Sequence, residues 1–447
     1  MVTGLPLLLI IAFAIVFIVI ACTRFNWHPF LALLVAAFFT GLAVGLPLGE
    51  IVKTANEGFG NMMAHIGLVV VLGTLIGTVL EKTKATLRIA DAIIHFVGRD
   101  KPVLAITVIG AVVGIPIFCD SGFIILNGLT RPLSRESKKS YTAIVNGLAG
   151  GLYITHTLLP PHPGSIAGAA NLGLGQHLGT VIVTGLLISI PATIMCWLFA
   201  SKLLATVNKE EEIEEVQEEE LLQLPALWKS ILPVIIPVLL IATGSAAELI
   251  PVPENIKSLL LFVGSPVVAL LCGLLLSLLL VKKDDTKLFN NWMKEAISHA
   301  GPILILVGAG GVFGNVLKHT PLADVVGHWV NNGSFSSYTF LLIAYAIGVL
   351  LKTAQGSTTS AIIIATSILS PIAVVAGFNN PVALSLLLGA TASGAMMICH
   401  ANDAYFWVIS QFSGLSMQQT YRSFSLLSIV LSITSFVFVL VLAVVML

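Results

Sequence analysis

Long apolar runs constrain this 447-residue chain more than any other feature. A helix of about 20 apolar residues crosses the roughly 30 Å hydrocarbon core of a bilayer. Examples of such runs occupy residues 5–22, 30–48, 181–200, 258–281 and 423–447. Because unpaired backbone groups are costly in lipid, these runs predict helices rather than open strands or loops. The sequence therefore predicts an all-α polytopic membrane protein.

Composition supports this class and excludes others. Hydrophobic residues make up 57% of the chain and charged residues 10%, against about 25% charged in a soluble domain. The mean hydropathy is +1.00. The formal net charge is zero, so no basic surface points to a nucleic-acid partner. The five cysteines show no CxxC spacing, and we expect neither a metal site, a disulfide framework nor a cofactor.

One strongly acidic segment divides the chain. Residues 202–228 contain a dense run of glutamates, which we interpret as a solvated cytoplasmic linker rather than a cluster of catalytic carboxylates. It separates residues 1–201 from residues 229–447. The two parts share an order of motifs: Gly150-Gly-Leu-Tyr-Ile-Thr-His156 in the first corresponds to Gly394-Ala-Met-Met-Ile-Cys-His400 in the second. We therefore predict two repeats.

Basic residues predict a re-entrant hairpin in the first repeat. The loops at 81–102 and 131–140 are both rich in lysine and arginine, so both are expected in the cytoplasm. A single crossing between them would place them on opposite sides. A hairpin at 103–133, with arms too short to span the bilayer, removes this conflict. A broken helix at 141–176 and a closing span then follow.

The second repeat is expected to have the opposite orientation. Its hairpin, at 336–371, enters from outside, and its broken helix covers 381–420. We thus predict two inverted repeats, each with three spans, a re-entrant hairpin, a broken helix and a closing span, and with both chain termini outside. Inverted repeats with opposed, discontinuous helices are a recurrent transporter design.

The hairpin tips are candidate binding elements for a small organic acid. Helix N-termini attract anions, and glycine lets the backbone approach a ligand closely. The first tip offers Ser121 and Gly122, and the second offers Gly356, Ser357 and Thr358. The same hydroxyls could instead cap the half-helices.

Ionisable residues at membrane depth are further candidates. Asp120, in the first tip, is a candidate proton carrier or a helix cap. Lys352, beside the second tip, either neutralises an anionic substrate or extends to the membrane surface.

The two broken helices carry a second group of polar residues. His156 and His162 flank the break at Pro160-Pro-His-Pro163, and His400, Asn402 and Asp403 lie at the corresponding second break. We assign His162 and Asn402 to substrate binding, and His156, His400 and Asp403 to proton coupling. Simple hydrogen bonding between helices is the alternative for the histidines.

Several motifs together resemble the gluconate permease (gluconate:proton symporter) family of the ion-transporter superfamily, over essentially the whole chain. They are Trp27-His-Pro-Phe30, Cys119-Asp-Ser-Gly122, Pro160-Pro-His-Pro163, Ala309-Gly-Gly311 and Ala354-Gln-Gly-Ser-Thr358. The resemblance implies a homodimer in the bacterial inner membrane that takes up a sugar acid with protons, by an elevator motion. Its partners would be the acid, protons and lipid.

Two departures from the family pattern leave the substrate open. Asp120 stands where glutamate is expected, and Asn402-Asp403-Ala stands where an acidic residue followed by serine is expected. Gluconate, fructuronate, glycerate and D-serine are all compatible with the resemblance, and the coupling ion is a proton or sodium. A membrane-embedded enzyme using Cys119 with a histidine, or a passive channel, are the alternatives from other classes. Broken helices in duplicated halves favour a transporter over both.

Overall fold

The computed structural model describes residues 1–25, 27–98, 100–202, 224–249, 253–281, 286–322, 325, 336–400 and 403–447. Every regular element in these ranges is helical, which confirms the predicted all-α class. The first half contains α1 (Gly4–Thr23), α2 (Pro29–Val44), α3 (Leu48–Lys82), α4 (Ala85–Val97), α5 (Pro102–Val113), α6 (Cys119–Leu126), α7 (Thr130–Ser137), α8 (Tyr141–Leu158), α9 (Pro163–Asn171) and α10 (Leu178–Lys202). The second half contains α11 (Leu227–Leu249), α12 (Glu254–Val263), α13 (Pro266–Ser277), α14 (Thr286–Lys318), α15 (Ser337–Gln355), α16 (Thr358–Ala373), α17 (Pro381–Ala395), α18 (Ala404–Ser413), α19 (Met417–Thr420) and α20 (Leu426–Met446).

The helices suit a bilayer. Within the described ranges, five are long and apolar enough to cross a membrane, or up to seven if each of two bent pairs forms one crossing. Large apolar side chains such as Phe13, Ile190, Leu342 and Val445 are exposed on their outer faces. Such exposed apolar surface is stable in lipid and would be costly in water. The chain is therefore a multi-pass membrane protein.

One predicted straight crossing is bent. The apolar run at 258–281 was expected to form a single helix, but α12 and the segment after it meet at 59°. The bend falls at Gly264-Ser265-Pro266, where proline supplies no backbone donor to the preceding turn. Gly264 also packs against Gly244, where a Cβ on Gly264 would lie 2.5 Å from the Gly244 Cα. Hydropathy alone does not register such a bend.

Each of the two segments predicted as hairpins is interrupted near its middle. The first break separates α5, which ends at Val113, from α6, which begins at Cys119. The second separates α15, which ends at Gln355, from α16, which begins at Thr358. The membrane side from which each segment enters, and the inverted relation of the halves, stay predictions. So do the domain boundaries, and residues 203–223 of the expected linker lie outside the described residues.

Glycine contacts bring the two breaks close to neighbouring helices. In the first half α5 packs along α8, and in the second half α15 packs along α17. A Cβ on Gly110 of α5 would lie 2.5 Å from the Leu148 carbonyl oxygen, and one on Gly394 of α17 would lie 2.1 Å from the Tyr345 carbonyl oxygen. These backbones touch with no room for a side chain. The close packing holds the helix before each break against its neighbour.

Candidate functional site

A cavity of about 430 Å³ lies where the start of α6 meets the break between α15 and α16. Its size is within the range of about 300–1,000 Å³ that is usual for small-molecule sites. It brings together residues from both halves of the chain. Those that the sequence singled out are Asp120, His156, Gly356, Ser357, Thr358 and Asp403.

The second break is built by two adjacent residues with different tasks. Gly356 ends α15 with a φ of 76°, a left-handed conformation that glycine adopts without strain. Its N–H donates to the Lys352 carbonyl at 2.8 Å. Ser357 then starts α16, and its Oγ accepts from the Ser360 N–H at 3.2 Å. Ser357 is therefore a helix cap that also lines the cavity.

Lys352 lies behind this break and is fully buried. Its ammonium forms an ion pair with Asp403. It also donates to the Gly356 carbonyl at 2.8 Å and to Thr358 Oγ1 at 3.0 Å. The side chain does not extend to the membrane surface, because its charge is compensated inside the protein. A buried charge is tolerated only with such a partner.

Two polar groups in the cavity wall have no hydrogen-bond partner among the described residues. One is Oδ1 of Asp120, in the first turn of α6. The other is the Gln355 side-chain amide, whose oxygen and nitrogen are both buried and unpaired. Buried polar atoms are normally hydrogen-bonded, so unpaired ones in residues that line a cavity point to a polar occupant. Both residues line the cavity.

Two histidines are coupled at the edge of the cavity. Nδ1 of His156 lies 2.8 Å from Nε2 of His162, and that Nε2 also lies 3.0 Å from the Ile117 carbonyl oxygen. A carbonyl only accepts, so Nε2 of His162 carries a proton that it shares with His156 Nδ1. A neutral His156 then carries its own proton on Nε2. Only His156 of the pair lines the cavity.

Other predicted site residues lie outside the cavity wall. Ser121 does not line the cavity, and its hydroxyl lies near Glu81 of α3. Gly122 packs against Leu152, where a Cβ would come within 2.8 Å of Leu152 Cδ2. Nε2 of His400 lies 3.2 Å from the Thr353 carbonyl oxygen. Asn402 is outside the described residues.

The cavity also contains residues that the sequence did not single out. They are chiefly His28, Tyr153, Gln355 and Tyr405. His28 and Gln355 belong to motifs quoted for the family resemblance, so the motifs themselves were the available signal. Tyr153 and Tyr405 are both buried, and their rings stack with centroids 5.7 Å apart. A tyrosine within an apolar span needs a hydrogen-bond partner for its hydroxyl, so these two tyrosines could also have been selected from the sequence.

Comparison with known proteins decides the family. The profile described as GntP family permease matches residues 6–445. The chain belongs to this family. As a GntP-family permease it is a transporter of the bacterial inner membrane, with several membrane-crossing helices. The resemblance found in the sequence motifs is thereby confirmed.

Individual relatives of this permease cover nearly its whole length. It is 30% identical to the gluconate permease of Pseudomonas aeruginosa, over 97% of this chain and 96% of that protein. It is 34% identical to an uncharacterized permease of Haemophilus influenzae, over 92% of this chain and 87% of that one. Identity to the high-affinity gluconate transporter of Escherichia coli is 27%, over 97% and 98% of the two chains.

Two solved structures share the fold. The YdaH transporter of Alcanivorax borkumensis superimposes with a TM-score of 0.66 at 15% identity, covering 98% of both chains. MtrF of Neisseria gonorrhoeae gives a TM-score of 0.57 at 14% identity, covering 96% of this chain and 94% of that one. At such identities the likeness concerns the fold alone.

Proposed function

We propose that this permease carries gluconate or a closely related hydroxy acid into the cell together with protons, and that the acid binds in the cavity between the two breaks. Relatives named as gluconate permeases in Pseudomonas aeruginosa and Zymomonas mobilis support the substrate class. So does the high-affinity gluconate transporter of Escherichia coli. Each of them matches nearly the full length of this chain.

The observation that carries the proposal is the pair of unpaired groups in the cavity wall. The Gln355 amide can donate to and accept from substrate hydroxyls, and a protonated Asp120 can donate to an oxygen. The starts of α6 and α16 meet at the same cavity. Backbone N–H groups at helix N-termini favour a carboxylate. These groups together match a polyhydroxylated acid.

Charge balance supports a coupled proton. Lys352 and Asp403 neutralise each other, so the remaining acidic side chain in the described cavity wall is Asp120. A substrate carboxylate beside an ionised Asp120 would place two negative charges in one poorly solvated space. A proton on Asp120 removes one of these charges. Binding of the acid and of a proton would then favour each other.

We further propose that the protein works as a homodimer with an elevator motion. The first arms of the two broken segments, α5 and α15, pack on α8 and α17 respectively. The long helices α3 and α14 pack on each other through Gly58 and Gly311, where a Cβ on Gly58 would lie 2.5 Å from the Gly311 carbonyl oxygen. In this proposal α3 and α14 belong to the static part, and the broken segments move with the substrate.

Uptake by purified protein in liposomes tests the proposed function. With the outside more acidic than the inside, labelled gluconate should accumulate above its equilibrium level, and a protonophore should abolish accumulation. Unlabelled fructuronate, D-glycerate and D-serine, added as competitors, rank the related substrates. Equilibration without accumulation would indicate a channel, and chemical conversion would indicate an enzyme. Either result contradicts the proposal.

A further inference from the structure

The Lys352 ammonium has three oxygen contacts in a fully buried site. They are the Gly356 carbonyl at 2.8 Å, Thr358 Oγ1 at 3.0 Å and the Asp403 carboxylate. An ammonium group has three N–H donors, so all three are used within the protein. The Tyr153 ring covers it from one more direction, with Nζ 5.6 Å from the ring centroid. No donor is left for a substrate.

These oxygens form the kind of ligand set that holds a small hard cation. Carboxylate, carbonyl and hydroxyl oxygens suit such ions, and nitrogen or sulfur atoms are not among the contacts. The site also lies at the C-terminal end of the half-helix α15, where the helix dipole is negative. In secondary transporters, unwound carbonyls and half-helix C-termini coordinate sodium.

We infer that Lys352 is a tethered cation that occupies a monovalent-cation site at the second break, so that this permease binds no sodium ion there. The ammonium supplies the positive charge that Asp403 and the α15 terminus require. Because it is attached to α15, it is neither released nor exchanged during transport. The inference rests on the proposed function and deepens it. It excludes sodium as the ion that drives transport from this site.

The inference predicts that removing the lysine creates a sodium site. Lys352→Ala leaves a space beside the three oxygens, which a sodium ion can fill. Lys352→Met keeps the volume of the side chain but not its charge, so it fills the space and is the matched control. A double variant, Lys352→Ala with Asp403→Asn, keeps the space but removes the charge that attracts a cation.

Thermal unfolding of the purified protein measures the effect without any substrate, so its result is independent of whether gluconate is transported. The wild type should melt at the same temperature in sodium chloride and in choline chloride of equal ionic strength. Lys352→Ala should melt a few degrees higher, on the order of 2–5 °C, in saturating sodium, since a ligand that binds the folded state stabilises it. Lys352→Met and the double variant should show no sodium-specific shift.

Three results obtained with folded protein would overturn the inference, and a failure to fold would be a fourth. The first is a sodium-specific stabilisation of the wild type, and the second is a sodium requirement for its transport. The third is a Lys352→Ala protein that responds equally to sodium and choline. If Lys352→Ala cannot be purified in either salt, Lys352→Ser provides the same space with an added hydroxyl. Failure of both variants to fold in sodium would mean that the site does not accept the free ion.

Discussion

The Tyr153 hydroxyl lies 3.2 Å from Oγ1 of Thr358, and this contact joins α8 of the first half to the start of α16 in the second. Thr358 Oγ1 also accepts from Lys352 Nζ at 3.0 Å. The two contacts connect the cavity wall to the buried ion pair beneath it. Thr358 therefore lines the cavity and also holds Tyr153 and Lys352 in position.

Replacing Thr358 by valine should destabilise the protein. The change removes a hydroxyl with little change of volume, so the buried ammonium loses one of its three acceptors, while the Tyr153 hydroxyl keeps only its longer contacts to the Ala395 and Met396 carbonyls. An unsatisfied buried polar group costs about 1–3 kcal/mol in unfolding free energy. Thermal unfolding of Thr358→Val and Thr358→Ser measures this loss, and only the valine variant should show it. Equal stability of both variants would show that the Thr358 hydroxyl does not stabilise the folded protein.

Asp120→Asn should uncouple transport from the proton gradient. The amide keeps the shape of the side chain but cannot exchange a proton, so uphill uptake should fall at least about tenfold while exchange of internal for external substrate persists. Proteoliposomes with labelled gluconate measure both processes. Asp91→Asn, at a half-buried ion pair with Arg88 away from the cavity, is the matched control and should behave as the wild type. Normal uphill accumulation by Asp120→Asn would exclude this residue as the proton carrier.

His156 and His400 should differ in their effect on substrate affinity. His156 lines the cavity and is held by His162, whereas His400 lies against the Thr353 carbonyl and does not line the cavity. His156→Gln should weaken apparent affinity about tenfold, as expected for loss of one hydrogen bond to a bound polar group. His400→Gln should change it little. Concentration dependence of uptake measures both, and the reverse ranking would place the substrate elsewhere.

The sequence located the breaks because their cause is local. Gly356, Ser357 and the prolines around His162 interrupt helices wherever they occur, so Asp120, His156 and Thr358 could be selected by their position beside a break. The partners of these residues were not predictable in the same way. Lys352 lies in α15 and Asp403 immediately before α18, 51 residues away, so only the tertiary fold brings them together. For the same reason His28, far away in the sequence, was missed.

Close helix contacts give a prediction about stability. A Cβ on Gly394 would lie 2.1 Å from the Tyr345 carbonyl oxygen, and backbone atoms cannot move aside as a flexible side chain can. Gly394→Ala should therefore lower the free energy of unfolding by about 1–3 kcal/mol. Gly60 has open space around its Cβ position, so Gly60→Ala should not destabilise. Melting temperatures in detergent compare the two. A stable Gly394→Ala protein would contradict the packing of α15 on α17.

Protection of an introduced cysteine tests most directly whether the acid binds between the two breaks. Thr359 lines the cavity between the two breaks, whereas Ser370, on the same helix α16, lines a separate cavity. Each is replaced by cysteine in a chain whose five native cysteines have been removed, and labelling by a small polar thiol reagent is timed with and without gluconate. We predict that saturating gluconate slows labelling of Thr359→Cys at least about fivefold, as a bound ligand covers most of its pocket, and leaves Ser370→Cys unchanged. Labelling of Thr359→Cys at the same rate with and without gluconate, in protein that transports it, would contradict the account.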